Sequence, residues 1–193
     1  KLLMTQKLEQ SNFGYALSKL SMAYYLDLIK KKNNFNYSTV IPCNLFGPDD
    51  NFDGKNSHLI AAVIRKVVML KKKDTKNIYC WGKGTVKREF MYVDDLAELI
   101  IKMIKSKKKF PDFLNAGYGR DFRINEYYSK IIKILNVKAK LKFDKTKPEG
   151  MKRKLIDSNL AKKLYGWTPT TDINDGLKKT ISFYCKKNKI KLN

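Results

Sequence analysis

The stretch Tyr37–Gly47, YSTVIPCNLFG, sets β-branched and apolar residues side by side without alternation, then meets a proline and a glycine. A run of that kind reads as a buried strand that leads into a loop. Upstream, Tyr15 to about Lys32 has helical spacing, with Leu17, Leu20, Met22, Ala23, Tyr25, Leu26 and Ile29 forming a broad apolar face. NNFN at 33–36 ends that helix, and the first 11 residues read as an uncapped polar loop.

Downstream, PDDNFDGKNSH (48–58) is loop chemistry and HLIAAVIRKVVMLKKK (58–73) is helical. NIYCWGKGTVKREFMYV (77–93) reads as a strand, a glycine-bounded turn and a second short strand. VDDLAELIIKMIKSKK (93–108) has acids in its first turn and lysines in its last, as the helix dipole prefers. A strand with a glycine stop (111–119), an amphipathic helix (123–135) and an alternating strand (138–145) follow. DSNLAKKLYGW (157–167) is a short helix with an Asp/Ser cap and Gly166 at its end, and 172–188 is the last helix. Strands alternating with helices predict an α/β fold.

The chain has 193 residues, enough for one domain and a fraction, and its 43% hydrophobic content excludes a disordered basic tail. The net charge of +23 suggests nucleic acid or an anionic membrane. The lysines, however, punctuate apolar runs throughout instead of forming one arm, and arginine, which reads bases, is scarce. They read as solvated surface whose field attracts small polyanions, nucleotides included; neither a nucleic-acid nor a membrane partner is expected. Cys43, Cys80 and Cys185 lie far apart with a single histidine, so no metal site is expected. Free thiols, no signal peptide and no apolar run near the ~20 residues of a membrane span predict a cytoplasmic protein.

Tyr15 and Lys19 stand at i, i+4, on one helix face and ~5–6 Å apart at Cβ. A phenol is a poor acid–base group near neutrality, and a neighbouring ammonium favours the phenolate. The pair therefore reads as a proton relay, or as the ordinary polar stripe of an amphipathic helix.

The YxxxK helix followed by a strand ending IPCNLFGPDDNF resembles the extended short-chain dehydrogenase/reductase family. PCNLFGPDDNF (42–52), NSHLIAAVIRK (56–66), WGKGTVKREFMYVDDLA (81–97), LNAGYG (114–119) and KPEGMKRKLID (147–157) are similar, in order and spacing, to the GDP-L-fucose synthase branch of that family. The resemblance implies an NADP-dependent epimerase/reductase acting on a GDP-linked 4-keto-6-deoxy sugar, present here as the C-terminal part of a larger enzyme. No Gly-rich GxxGxxG unit occurs in the sequence, so the segment alone is expected to be inactive. The fold implied is the C-terminal part of a Rossmann-type fold (1–48 and about 89–124) plus a small α/β substrate lobe (about 49–88 and 125–193). Family members form homodimers through the YxxxK helix and its neighbour.

Carried over by position, Tyr15 protonates the C4 oxygen and Lys19 tunes it and holds the nicotinamide ribose. Pro42, Cys43, Asn44 and Leu45 flank the nicotinamide, with Asn44 reaching the substrate as well. His58 is the acid–base partner in epimerisation and also borders the cofactor; imidazole suits that role because it titrates close to neutrality. Arg88 forks phosphate oxygens, Trp81 offers an aromatic surface, and Glu149 and Lys154 bind from the KPEGMKRKLID loop. Lys66 replaces the family's usual arginine, keeping the charge and losing the fork. Related readings are reduction of a GDP-linked heptose, or a non-catalytic basic module that binds nucleotides or nucleic acid. Asp94 and Asp95 read as first-turn helix residues.

Overall fold

The computed structural model describes residues 7–8, 10–54, 56–71, 77–147 and 149–191. Most of the expected leading loop, and the lysines at 72 and 73 assigned to the second helix, lie outside the described residues. After a 3-10 turn at Gln10–Asn12, helix α1 (Phe13–Asn33) runs until Asn34 adopts a left-handed conformation, φ 54°.

The stretch expected to form one strand is two. β1 (Thr39–Pro42) pairs parallel with β5 (Phe113–Ala116), and β2 (Asn44–Phe46) pairs parallel with β4 (Lys87–Tyr92). The register runs from Thr39↔Phe113 to Pro42↔Ala116, then from Asn44↔Phe90 to Phe46↔Tyr92. Cys43 sits at the changeover, and its N–H still reaches Ala116 O at 2.8 Å, so the switch leaves no donor unmet there. A crevice opens where a chain changes partners in this way, which is where α/β folds place ligands.

β3 (Asn77–Trp81) and β4 do not form a hairpin. β3 runs parallel to β7 (Lys140–Asp144), whereas β4 also pairs antiparallel with β6 (Asp121–Arg123) and parallel with β8 (Arg153–Lys154). The turn at Gly82 and Gly84, φ +67° and +69°, therefore joins two sheets. The helix expected from Arg123 begins one residue later as α4 (Ile124–Ile134): Arg123 ends β6, and its N–H is capped by Glu126 Oε2 at 2.7 Å. The remaining helices, α2 (Leu59–Lys71), α3 (Val93–Lys105), α5 (Asn159–Tyr165) and α6 (Ile173–Lys187), follow their predicted segments.

Successive β4 side chains feed two cores, as the two-residue strand period requires. Phe90 and Tyr92 join Ile60, Ile64, Tyr127, Ile131, Leu177 and Ile181 in the larger one. Met91 joins Leu99, Met103, Leu114, Ala116, Ala161 and Trp167 in the smaller. Ala161 of α5 and Trp167, which follow residue 125, pack in this smaller core beside residues of the segment 89–124, and the Trp167 indole N–H donates to Asp95 O at 3.0 Å. α1 is only shallowly covered: of its predicted apolar face Ala23 alone is buried, while Leu17, Met22 and Tyr25 are exposed. It is anchored by Lys30, whose buried ammonium donates to Phe110 O at 2.6 Å and pairs with Asp112 at 2.8 Å. Among the described residues no helix is long and apolar enough to cross a membrane.

Asp95 is a first-turn residue of α3 and also a knot. Its buried Oδ1 accepts from the backbone N–H and hydroxyl of both Thr170 and Thr171, at 3.1–3.4 Å. This ties the start of α3 to the turn that precedes α6. Asp95→Ala removes the shared acceptor of these half-buried donors, which costs about 2 kcal/mol and lowers Tm by roughly 4–8 °C in a calorimetric scan. Asp94→Ala, at an exposed position, leaves Tm within about 2 °C.

Candidate active site

A cleft of about 870 Å³ opens where β1 gives way to β2. One wall is Pro42–Asp50, a second is the start of α2 with His58, Leu59, Ala62 and Lys66, and a third carries Cys80, Trp81, Arg88 and Glu149. Of the residues singled out from sequence it brings together Pro42, Cys43, Asn44, Leu45, His58, Lys66, Trp81, Arg88 and Glu149. Tyr15, Lys19 and Lys154 do not line it.

The strand wall is rigid. Asn44 Nδ2 donates to Glu89 O at 3.0 Å, so the side chain is fixed across the β2–β4 pair. Burial and the nearby Glu89 carboxylate push the Cys43 thiol up to about 12, which keeps it protonated and unreactive near neutrality. Its contribution is therefore backbone shape. His58 stands just before α2, where its carbonyl accepts the Ala62 N–H at 2.9 Å, and its imidazole is exposed to the cleft.

The opposite wall is cationic and aromatic. Trp81 is 59% exposed, with the Lys66 and Lys147 ammonium groups 6.0 and 5.8 Å from its ring centroid. The surroundings strip water from Lys66 and hold its ammonium below the usual lysine range. Arg88 donates through Nη1 to Lys87 O and Met151 O, at 2.8 and 2.6 Å, and through Nη2 to Glu149 O at 3.3 Å. Three of the five guanidinium donors are thus engaged within the protein, two of them on the 149–151 loop, which reduces the full fork expected for phosphate oxygens. The Glu149 carboxylate accepts the Lys83 N–H, so it is partly engaged within the protein. A Cβ at Gly82 would stand 2.2 Å from Glu149 Cγ, which requires glycine there.

Tyr15 is 65% exposed on α1, and the Lys19 ammonium lies 5.7 Å from its ring centroid. The helical spacing does place phenol and ammonium together. Lys154 is exposed on β8, beside Arg88 in the β4 register. Glu89 escaped the sequence reading. It is 1% exposed at the meeting of three segments, and a carboxylate inside the apolar strand FMYV's approach, RE, was the available signal.

Comparison with known proteins gives the family. Residues 2–117 match the NAD dependent epimerase/dehydratase family. The chain is 42% identical over 95% of its length to a GDP-L-colitose synthase of Yersinia pseudotuberculosis, and 36% identical over 94% to a GDP-L-fucose synthase of Azorhizobium caulinodans. It spans 59% and 58% of those two proteins. Among solved structures, a GDP-6-OMe-4-keto-L-xylo-heptose reductase from C. jejuni superposes with a TM-score of 0.84 at 23% identity, over 94% of this chain and 63% of that one. That likeness is one of fold, an α/β architecture of Rossmann type. By sequence and architecture together, the chain belongs to the NAD dependent epimerase/dehydratase family.

Proposed function

We propose that the chain supplies the catalytic helix and the sugar-nucleotide cleft of an NADP-dependent epimerase/reductase acting on a GDP-linked 4-keto-6-deoxy sugar. The observation that carries this reading is the cleft itself. Five separate stretches of chain converge to place an imidazole, two cations, an aromatic face and a carboxylate around about 870 Å³. A diphosphate suits Lys66 and the remaining Arg88 donors, and a flat base or sugar suits Trp81. The kinship with GDP-colitose and GDP-fucose synthases supports GDP as the nucleotide.

The donor set fits a nicotinamide cofactor on one side: Tyr15 and Lys19 are exposed together on α1, and the ends of β1 and β2 border the cleft. NADPH would supply hydride when bound. Tyr15 would give the proton to the C4 oxygen, Lys19 would hold the ribose hydroxyls, and His58 would move protons at carbons beside the ketone. The reaction is proposed for this segment joined to the Gly-rich dinucleotide unit that the family resemblance implies. A homodimer through α1 and α3 is part of the same reading, supported by exposed Tyr24, Tyr25 and Leu28 on α1 and Ile100, Ile101 and Ile104 on α3. Sedimentation of the completed enzyme should give a dimer that Ile104→Lys dissociates; a monomer for both removes this part.

Calorimetry on the 193-residue chain tests the cleft. GDP should bind with a salt-sensitive Kd that Arg88→Ala weakens at least about tenfold, while NADP binding stays very weak. Tight NADP binding, or DNA binding indifferent to Arg88→Ala, would sink the reading.

In the completed enzyme the two chemical roles separate. Tyr15→Phe should lower NADPH consumption by ~10²–10⁴ without a change in folding. His58→Asn should instead slow deuterium incorporation beside the ketone and leave direct C4 reduction possible. Equal damage to both steps by both variants would contradict the division of labour.

A further inference from the structure

The segment from Glu149 to Ile156 reaches the cleft at Glu149, and three consecutive β4 residues grip it. Lys87 N–H donates to Lys152 O at 2.9 Å, Arg88 holds the carbonyls of Glu149 and Met151, and β8 pairs with Lys87 and Arg88. The third grip is Glu89. Its Oε2 accepts the Ile156 N–H at 3.0 Å and its Oε1 accepts the Gly119 N–H at 2.7 Å. Gly117 closes over this contact so tightly that a Cβ there would stand 2.6 Å from Glu89 Oε1 and 2.7 Å from Ile156 Cγ1. The Glu89 carbonyl accepts from the Asn44 side chain on the opposite wall.

A buried carboxylate is a costly means of holding backbone. Desolvation pushes the Glu89 carboxyl above the ordinary range, and the N–H groups of Ile156, Gly119 and Tyr118 draw it back. A neutral isostere would fill the same space and would offer an N–H to one of those donors. What the anion adds is simultaneous acceptance from two segments, reinforcing the ties that the Gly117 N–H makes to Ser158 Oγ at 2.6 Å and that Asp121 makes to Arg153.

We propose that Glu89 is a positioning residue for the sugar-nucleotide side of the cleft: by clamping Gly119 and Ile156 it fixes the far end of the 149–156 segment and so presents Arg88 and Glu149 to the ligand. This rests on the cleft being the GDP-sugar site, and the supporting shell of a site commonly sets its precision.

The test compares wild type with Glu89→Gln by amide hydrogen exchange and by GDP titration. Amides of the β3–β7 ladder serve as the gauge of global stability. The variant should speed exchange at Gly119 and Ile156 and also at Lys83, whose N–H is held by the Glu149 carboxylate at the other end of the segment. Roughly tenfold or more is expected at each, relative to the ladder, with GDP affinity roughly tenfold weaker. Asp95→Asn, which loosens the smaller core, should leave those three amides unchanged relative to the ladder. If Glu89→Gln does not fold, Glu89→Asp, which keeps the charge and shortens the reach, should give a smaller effect at the same amides. Faster exchange at Gly119 and Ile156 with Lys83 unmoved would overturn the proposal, as would an unchanged GDP affinity. If wild type itself binds no GDP, the functional reading fails, and the Lys83 amide decides the role of Glu89 alone.

Discussion

Among the described strands, β4 has the most sheet partners. Its six residues pair with β2, β6 and β8, and its alternating side chains fill both cores. A strand with that many partners cannot slip by one residue, because the shift would drive Phe90 and Tyr92 into the space shaped for Met91. The register of β4 therefore sets where Arg88 points and where Asn44 is held. Tyr127 adds a side-chain tie from α4, its hydroxyl donating to Arg88 O at 3.0 Å. Binding geometry and folding register are the same constraint here.

The lysine excess takes on a physical form in the structure. Several ammonium groups lie over aromatic rings: Lys130 over Phe122 at 5.0 Å, Lys179 over Tyr92 at 5.2 Å and Lys187 over Phe183 at 5.4 Å. Long aliphatic stems can cover ring edges while their charges remain in water. This lets a chain of net charge +23 retain ordinary apolar cores, with the lysines serving as their outer lining. In the cleft the same arrangement around Trp81 leaves cations facing open space.

The α-helices and the longer strands among the described residues were legible because each carries its own period or cap within one segment, as α3 does with its acidic start and basic end. The break at Cys43 was not, since nothing local distinguishes one strand from two that pair with different neighbours. β6 and β8, three and two residues long and rich in charge, exist because β4 offers open edges; that is information held elsewhere in the chain. Of the site, the cluster of Asn44, His58, Lys66, Trp81, Arg88 and Glu149 followed from family blocks, and the structure does place those residues around one cleft. Tyr15 and Lys19 lie together but outside it. The loop-holding duties of Arg88 and Glu149, and the whole role of Glu89, depend on carbonyls and N–H groups that sequence does not display.

The two tryptophans occupy opposite environments, and that has an optical consequence. Trp167 is 1% exposed with its indole N–H bonded in the smaller core, while Trp81 is 59% exposed between two cations at the cleft. Their emission should differ in colour and in access to quenchers, the blue component following the packed interior and the red one the cleft. Iodide, drawn in by the basic surface, should extinguish the red component first. The unmodified chain thus carries separate reporters of folding and of occupancy.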